Sequence, residues 1–275
     1  MGVPWSLSRR LHTVRYGTVR TGPAGEAGIA ESEERRMRFT PVVLVTALSL
    51  PLALPVGAAA EPVQDFDVQA TPAKTKRPIA LGFSTGTRET TPGVMPPSLD
   101  RVSVLFPAGS TYNGHLFPTC DSGAISAARS TDDCPSGSIV GTGRAAGVAP
   151  GGITQDDLKI TVVNGGRTRV NLFVEGTSPL RIQSNIIASI SKASGNFGVK
   201  LSTQIPANLR EPAPGVKVGI SLFKVNVSRT IRVKGRKRGL IEITKCSGGS
   251  WKSQGQFTFD TGAKITVDDR LPCSN

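Results

Sequence analysis

Gly82-Phe83-Ser84-Thr85-Gly86 has the G-x-S-x-G spacing of a nucleophile elbow, in which a strained strand-to-helix turn lifts a serine toward a histidine base. Thr90-Thr91-Pro92-Gly93 occupies the place where the helix would have to begin, and His115 lies too close for the usual chain order. His115 is the only histidine after residue 12, so base-assisted mechanisms lack their usual proton acceptor. Gly141-Thr142-Gly143 with Gly147 has the look of a phosphate-cradling loop, but such a loop needs a helix start behind it. Here a Gly/Ala-rich stretch runs to Pro150 instead, which suits a strand whose glycines permit close backbone packing or a bulge. Three aspartate pairs, Asp132-Asp133, Asp156-Asp157 and Asp268-Asp269, could bind calcium or act as acid and base if folding brought them together. Neighbours in a strand point to opposite faces, and none lies in an EF-hand loop, so loop chemistry is the expectation. No catalytic residue, metal ligand or cofactor site is assigned.

The strongest charged feature is the run 229–238 (RTIRVKGRKR), with six basic residues in ten: Arg229, Arg232, Lys234, Arg236, Lys237 and Arg238. Ile231 and Val233 are expected to face inward and Arg232 and Lys234 outward, with a basic tip at 235–239. Such a patch attracts polyanions, or else protects a strand edge by charge. No aromatic residues are interleaved for base stacking, which argues against nucleic acid.

The compartment follows from residues 37–60. The basic Arg35-Arg36-Met37-Arg38 precedes an apolar run, FTPVVLVTALSLPLALPV, that ends in Gly57-Ala58-Ala59-Ala60. A positive segment, an apolar segment and a small-residue cleavage site define an export signal. Pro51 and Pro55 favour cleavage over a lasting membrane span. Translation is expected to start at Met37, residues 1–36 being an extraneous extension. Residues 61–275 then hold 26 basic and 16 acidic residues, a net +10. All four cysteines, Cys120, Cys134, Cys246 and Cys273, lie in that part, and an even number in an exported chain argues for disulfides. Of the three possible pairings the local one, Cys120–Cys134 with Cys246–Cys273, is the simplest.

The elements that must position these residues are short β-branched runs separated by turn residues, with almost no helical periodicity; only 122–129 suits a turn or two of helix. Residues 61–78, with Pro62, Pro72 and Pro78, are expected to be a flexible spacer. Hairpins are expected at 158–174, turning at Asn164-Gly165; from Ile186 to Leu201, turning at 194–196; and at 256–267, turning at 260–262. Val216, Val218, Ile220 and Leu222 alternate in even register, whereas Phe223, Val225 and Val227 continue in odd register. That slip predicts a bulge or bend near Leu222. The fold expected is all-β, an antiparallel β-sandwich over 79–275. One large sandwich is preferred to two small subdomains broken at 206–215.

Leu105-Phe106-Pro107-Ala108-Gly109 leading to Cys120, the segment from Cys134-Pro135 through Gly143, and Trp251 to Cys273 around Phe257-Thr258-Phe259 together resemble a group of exported actinobacterial proteins of unknown function. The resemblance implies a secreted β-rich domain with two disulfides and brings no catalytic residues to carry over. The functional expectation is a secreted or envelope-associated binding or structural module rather than an enzyme. It would meet anionic wall polymers or lipid head groups through the basic hairpin and keep no membrane span after cleavage. The alternative is a carboxylate-dependent hydrolase of cell-wall polysaccharide, which would need two carboxylates across a cleft.

Overall fold

In Gln64-Asp65-Phe66-Asp67-Val68-Gln69-Ala70 every second side chain is buried, the period of a strand with one dry face. The same pattern recurs along the chain and makes most of the described residues strand. The computed structural model describes residues 62–88 and 94–275; the export signal expected at 37–60 and the extension before it lie outside the described residues. The strands are β1 (Val63–Thr71), β2 (Ala80–Arg88), β3 (Leu99–Pro107), β4 (Ser110–Tyr112), β5 (Ile139–Ala149), β6 (Ile153–Asn164), β7 (Arg169–Gly176), β8 (Ile182–Lys192) and β9 (Phe197–Gln204). They continue with β10 (Gly219–Val227), β11 (Thr230–Val233), β12 (Arg236–Gly239), β13 (Ile241–Ile243), β14 (Ser250–Phe259) and β15 (Lys264–Pro272). Two short helices, α1 (Ser122–Ala128) and α2 (Ala207–Arg210), interrupt them.

Eleven strands form one sheet in the order β1-β2-β10-β5-β6-β7-β8-β9-β3-β14-β15, every neighbouring pair antiparallel. The sheet curls until its outer strands meet, nearly closing a barrel. Eleven is odd, so β1 and β15 run in the same direction and cannot continue the antiparallel ladder. The seam is made instead by the Val68 amide donating to Asp269 Oδ2 at 2.9 Å and, past the strand ends, by a parallel bridge between Lys74 and Ser274. A row of edge-to-face rings crosses inside it, Phe257 to Phe66 to Phe83 to Phe223, with centroids 6.1, 5.7 and 5.9 Å apart.

The all-β antiparallel expectation holds. The two layers expected of a sandwich are opposite walls of a single sheet. Two strands inserted out of chain order stitch it together: β10 between β2 and β5, and β3 between β9 and β14. Two corrections follow at the amino-terminal side. Residues 61–78 are not a spacer, since Val63–Thr71 is a barrel strand; Pro62 and Pro72 bracket it. The domain therefore begins before residue 79. Residues 206–215 hold α2 and carry the chain from β9 to β10 inside one compact unit.

The three expected hairpins are present, with Ile160 opposite Val174, Ile190 opposite Leu201 and Phe257 opposite Ile265. The register slip falls between Ile220 and Leu222, at Ser221. Gly86 makes room for it: a Cβ there would stand 2.2 Å from the Ser221 carbonyl oxygen. Among the described strands the outer wall is mostly polar and charged, whereas the inner wall is apolar. A membrane-spanning barrel has the opposite arrangement, and no helix among the described residues is long and apolar enough to cross a bilayer.

At the end where β1 finishes, called the upper end here, β4 pairs with β13 to form a small lid. Leu240, just before β13, and Ile243 within it are almost fully buried. Both disulfides, Cys120–Cys134 and Cys246–Cys273, lie at this end. Replacing Asp269 by Ala removes the seam acceptor and should cost about 1.5–3 kcal/mol. Gly86→Ala should cost about 1–3 kcal/mol by forcing the Ser221 bulge aside. Chemical-denaturant titrations of each variant with the disulfides intact would measure both losses.

Candidate functional site

Ser84 lies in the middle of β2, opposite Asp67 on one side and Lys224 on the other, and its side chain belongs to the outer wall. The strand runs on to Arg88, so no strand-to-helix turn presents the hydroxyl. His115 is exposed in a short 3-10 turn. Gly141, Gly143 and Gly147 belong to β5 and face β10 closely; a Cβ at Gly141 or Gly143 would meet a β10 carbonyl oxygen at 2.2 or 2.3 Å. The register of β5 on β6 shifts at both ends of this stretch, between Ile139 and Gly141 and between Ala145 and Gly147. The glycines serve strand packing and bulges.

The aspartate pairs stand apart, and Asp157, Asp268 and Asp269 have structural partners. Asp132 and Asp133 are exposed inside the Cys120–Cys134 loop. Asp157, near the lower end of β6, accepts from the Thr177 and Ser178 amides at 2.7 and 3.0 Å and from the Thr177 hydroxyl at 3.0 Å. Its carboxyl titrates down at about 2, held there first by the Thr177 amide and further by Ser178 and the side chains of Gln155 and Thr177. Gln155 adds a bond from the Leu180 amide at 3.1 Å, so the two side chains pin the loop joining β7 to β8. Asp268 pairs with Lys252 at 2.7 Å on the outer wall, and that ammonium holds its carboxyl below the usual range. Asp269 closes the seam. Among the described residues no group of three or more His, Cys, Asp or Glu side chains could hold a metal ion.

The basic run forms a separate hairpin of β11 and β12, placed beside the lid by Leu240. Lys234 and Gly235 take positive φ (47° and 76°), the turn that matches the twist of a two-residue hairpin. The tip is therefore Lys234-Gly235, and 236–239 is the returning strand. Ile231 and Val233 are half-buried, as expected, while Arg229, Arg232, Lys234, Arg236 and Lys237 are exposed. Arg232 stands directly opposite Lys237. Arg238 is set apart from the rest, because its Nε donates to Glu242 Oε1 at 3.0 Å. Glu242 also accepts from the Gly239 amide at 2.8 Å, fixing the hairpin base to β13.

A second feature lies inside the barrel, where a chamber of about 130 Å³ remains between the two packed halves of the core. An adjoining space of about 80 Å³ lies toward the lower end. Ile186, Ile205, Ile220 and Phe223 border both. None of the residues bordering the chamber is charged.

One residue at the lid did not emerge from the sequence as more than a turn former. Asn164 is completely buried and joins the β6–β7 turn to the lid. Its Nδ2 lies within hydrogen-bond reach of the Gly114, Phe117 and Pro118 carbonyls, at 2.9, 3.2 and 2.9 Å. Its Oδ1 accepts from the Tyr112 hydroxyl at 2.6 Å and the Gly166 amide at 3.1 Å. Burial pushes the Tyr112 phenol well above its ordinary range. The available signal was phase, since Asn164 continues the inward set Ile160 and Val162.

Compared with protein-family models, curated proteins and solved structures, the chain matches none of them.

Asp157 supplies a pH test of the lower loop. Its folded carboxyl titrates at about 2, below the ordinary 3.8. The tie is therefore complete above about pH 4 and is lost as pH falls through about 2. Hydrogen exchange should show the Thr177 and Ser178 amides protected at pH 4 and released near pH 2. In Asp157→Asn they should exchange faster at pH 4, and the difference should shrink near pH 2.

Proposed function

We propose that this chain is an exported, non-catalytic binding module of the cell envelope that meets anionic polymer through the β11–β12 hairpin. The observation carrying this reading is the exposure of Arg229, Arg232, Lys234, Arg236 and Lys237 on one small separate hairpin. Among the described residues none of these five is ion-paired, whereas Arg238 is held by Glu242. Free cations crowded on a hairpin repel one another until a polyanion neutralises them, so the patch favours a partner of dense negative charge. The two disulfides, with no membrane-crossing helix among the described residues, fit work in oxidising surroundings outside the cell.

The alternative, a carboxylate-dependent hydrolase, draws less support. Asp157 binds loop amides, Asp268 binds Lys252 and Asp269 binds the seam, and these residues belong to strands on opposite sides of the barrel.

Replacing Arg229, Arg232, Lys234, Arg236 and Lys237 by Ser should lower affinity for purified anionic wall polymer more than a thousandfold at low salt, at about 1 kcal/mol per cation. The unaltered protein should release the polymer as sodium chloride is raised past roughly 0.5 M, where the screening length shrinks to a few ångströms. Anionic phospholipid vesicles run in parallel would show whether lipid head groups serve as well. Retention unchanged by the five substitutions would refute the reading.

A further inference from the structure

On the outer wall, exposed cations elsewhere stand beside carboxylates, as Arg88 does with Asp65 and Lys252 with Asp268, both at 2.7 Å. One row breaks the habit. Lys224 of β10 lies directly opposite Arg144 of β5, and Arg144 directly opposite Lys159 of β6. Strand residues paired in this way share a face, and their neighbours Val225, Ala145 and Ile160 are buried in the core. All three cations therefore project from the outer wall, where they are exposed.

Neighbouring strands stand about 4.8 Å apart, so the row sets three positive charges across about 10 Å of wall. Like charges directly opposite one another destabilise a sheet. Among the described residues none of the three has an ion-pair partner. The carboxylates in register with them, Asp67 and Glu175, lie at the two ends of the row. Ser84 separates Asp67 from Lys224, and Glu175 is half-buried opposite Lys159 without forming an ion pair with it.

Toward the upper end the wall becomes uncharged and polar, then basic again. Thr142 and Asn226 face each other two residues above Arg144 and Lys224. They line a groove of about 570 Å³ that also takes in Ser228, Arg229 and Thr230. Thr230 begins β11, so the groove joins the wall row to the basic hairpin. At about 3.4 Å per extended residue, Lys224 and Arg229 are about 17 Å apart along the chain.

We infer that the anionic polymer meeting the hairpin continues through this groove onto the outer wall, where Lys224, Arg144 and Lys159 form its second contact. The inference rests on the hairpin reading for the nature of the partner. Two cation clusters at different levels of a curved wall suit a flexible chain with many charges better than a bilayer, whose head groups lie in one plane. A chain that engages one cluster meets the other at high effective concentration, so affinity rises with chain length.

The test titrates the disulfide-bonded protein and two variants, at low salt, with a long heparin chain, a heparin disaccharide and anionic phospholipid vesicles. The wall variant carries Arg144→Thr, Lys159→Thr and Lys224→Thr, and the hairpin variant carries Ser at its five free cations. Thr suits exposed strand positions, and removing like charges relieves repulsion, so the wall variant keeps its fold; thermal unfolding checks this. Long heparin should bind the wall variant about a hundredfold more weakly, at the same worth per cation as in the hairpin. The disaccharide reaches only one cluster and should lose no more than about twofold. Vesicles should bind the wall variant as they bind the unaltered protein. If the triple variant does not fold, Arg144→Thr alone should weaken long heparin about fivefold and spare the disaccharide. Long heparin held equally by the wall variant, yet weakly by the hairpin variant, would overturn this inference and leave the hairpin reading standing. A hairpin variant that binds long heparin undiminished would instead refute that reading. Equal losses for the disaccharide and the long chain, or loss of vesicle binding in the wall variant, would also overturn the inference.

Discussion

Closing an antiparallel sheet with an odd number of strands forces its first and last members to run alongside each other in parallel, and this barrel is organised around that one awkward joint. A regular ladder is unavailable at the β1–β15 seam, so exposed amides and carbonyls there need other partners. Asp269 supplies one as a carboxylate turned inward from β15. The tails past the strands supply more, the Thr75 amide donating to the Ser274 carbonyl at 3.0 Å and the Ser274 amide to the Ala73 carbonyl at 2.9 Å. Cys246–Cys273 fastens the end of β15 to the segment before β14, keeping the last strand from peeling away. The Phe row then binds the joint from inside, since Phe66 of β1 touches rings from both β14 and β2. Backbone pairing, a side-chain acceptor, a covalent link and ring packing share one task.

The second constraint is interior volume. A wide barrel must either fill its middle with large side chains or fold part of itself inward. Here the Phe row fills one side, the lid presses Leu240 and Ile243 into the upper end, and α2 brings Leu209 against both halves of the core. What these do not fill is the apolar chamber. The bulge at Ser221 belongs to the same geometry, for it bends β10 just before that strand, already paired with β5, begins to pair with β2 as well, and Gly86 is the place that lets it do so.

Local pattern carried a large part of the fold into view, and distance hid the remainder. The hairpins were legible because apolar residues alternated on both arms and turn residues lay between, and the register slip betrayed the bulge near Leu222. The pairing of Cys120 with Cys134 and Cys246 with Cys273 matched the simplest of three choices. In contrast, β1 was masked by Asp65, Asp67 and Gln69 on its wet face and by the prolines around it, although its inward set of Gln64, Phe66, Val68 and Ala70 keeps the same period. The closure of the sheet had no local signal, because β3 and β10 find partners far along the chain. Within the candidate site the cations of the hairpin were legible as a cluster. The capture of Arg238 by Glu242 was not, since it depends on how β12 meets β13.

The two ends of the barrel are held in different ways, and this bears on what each can do. Both covalent links and the buried Asn164 hub belong to the upper end, where the lid and the basic hairpin are mounted. The lower end is tied by polar contacts: Asp157 to the Thr177 and Ser178 amides, Arg210 to Asp100 at 3.3 Å, and Lys217 to Asp260 at 2.5 Å. Lys217 is exposed, so its ion pair contributes little, whereas a disulfide does not open at all. The covalently braced end carries the basic hairpin, the other end is held by polar contacts alone, and the seam joins the walls between them into one body.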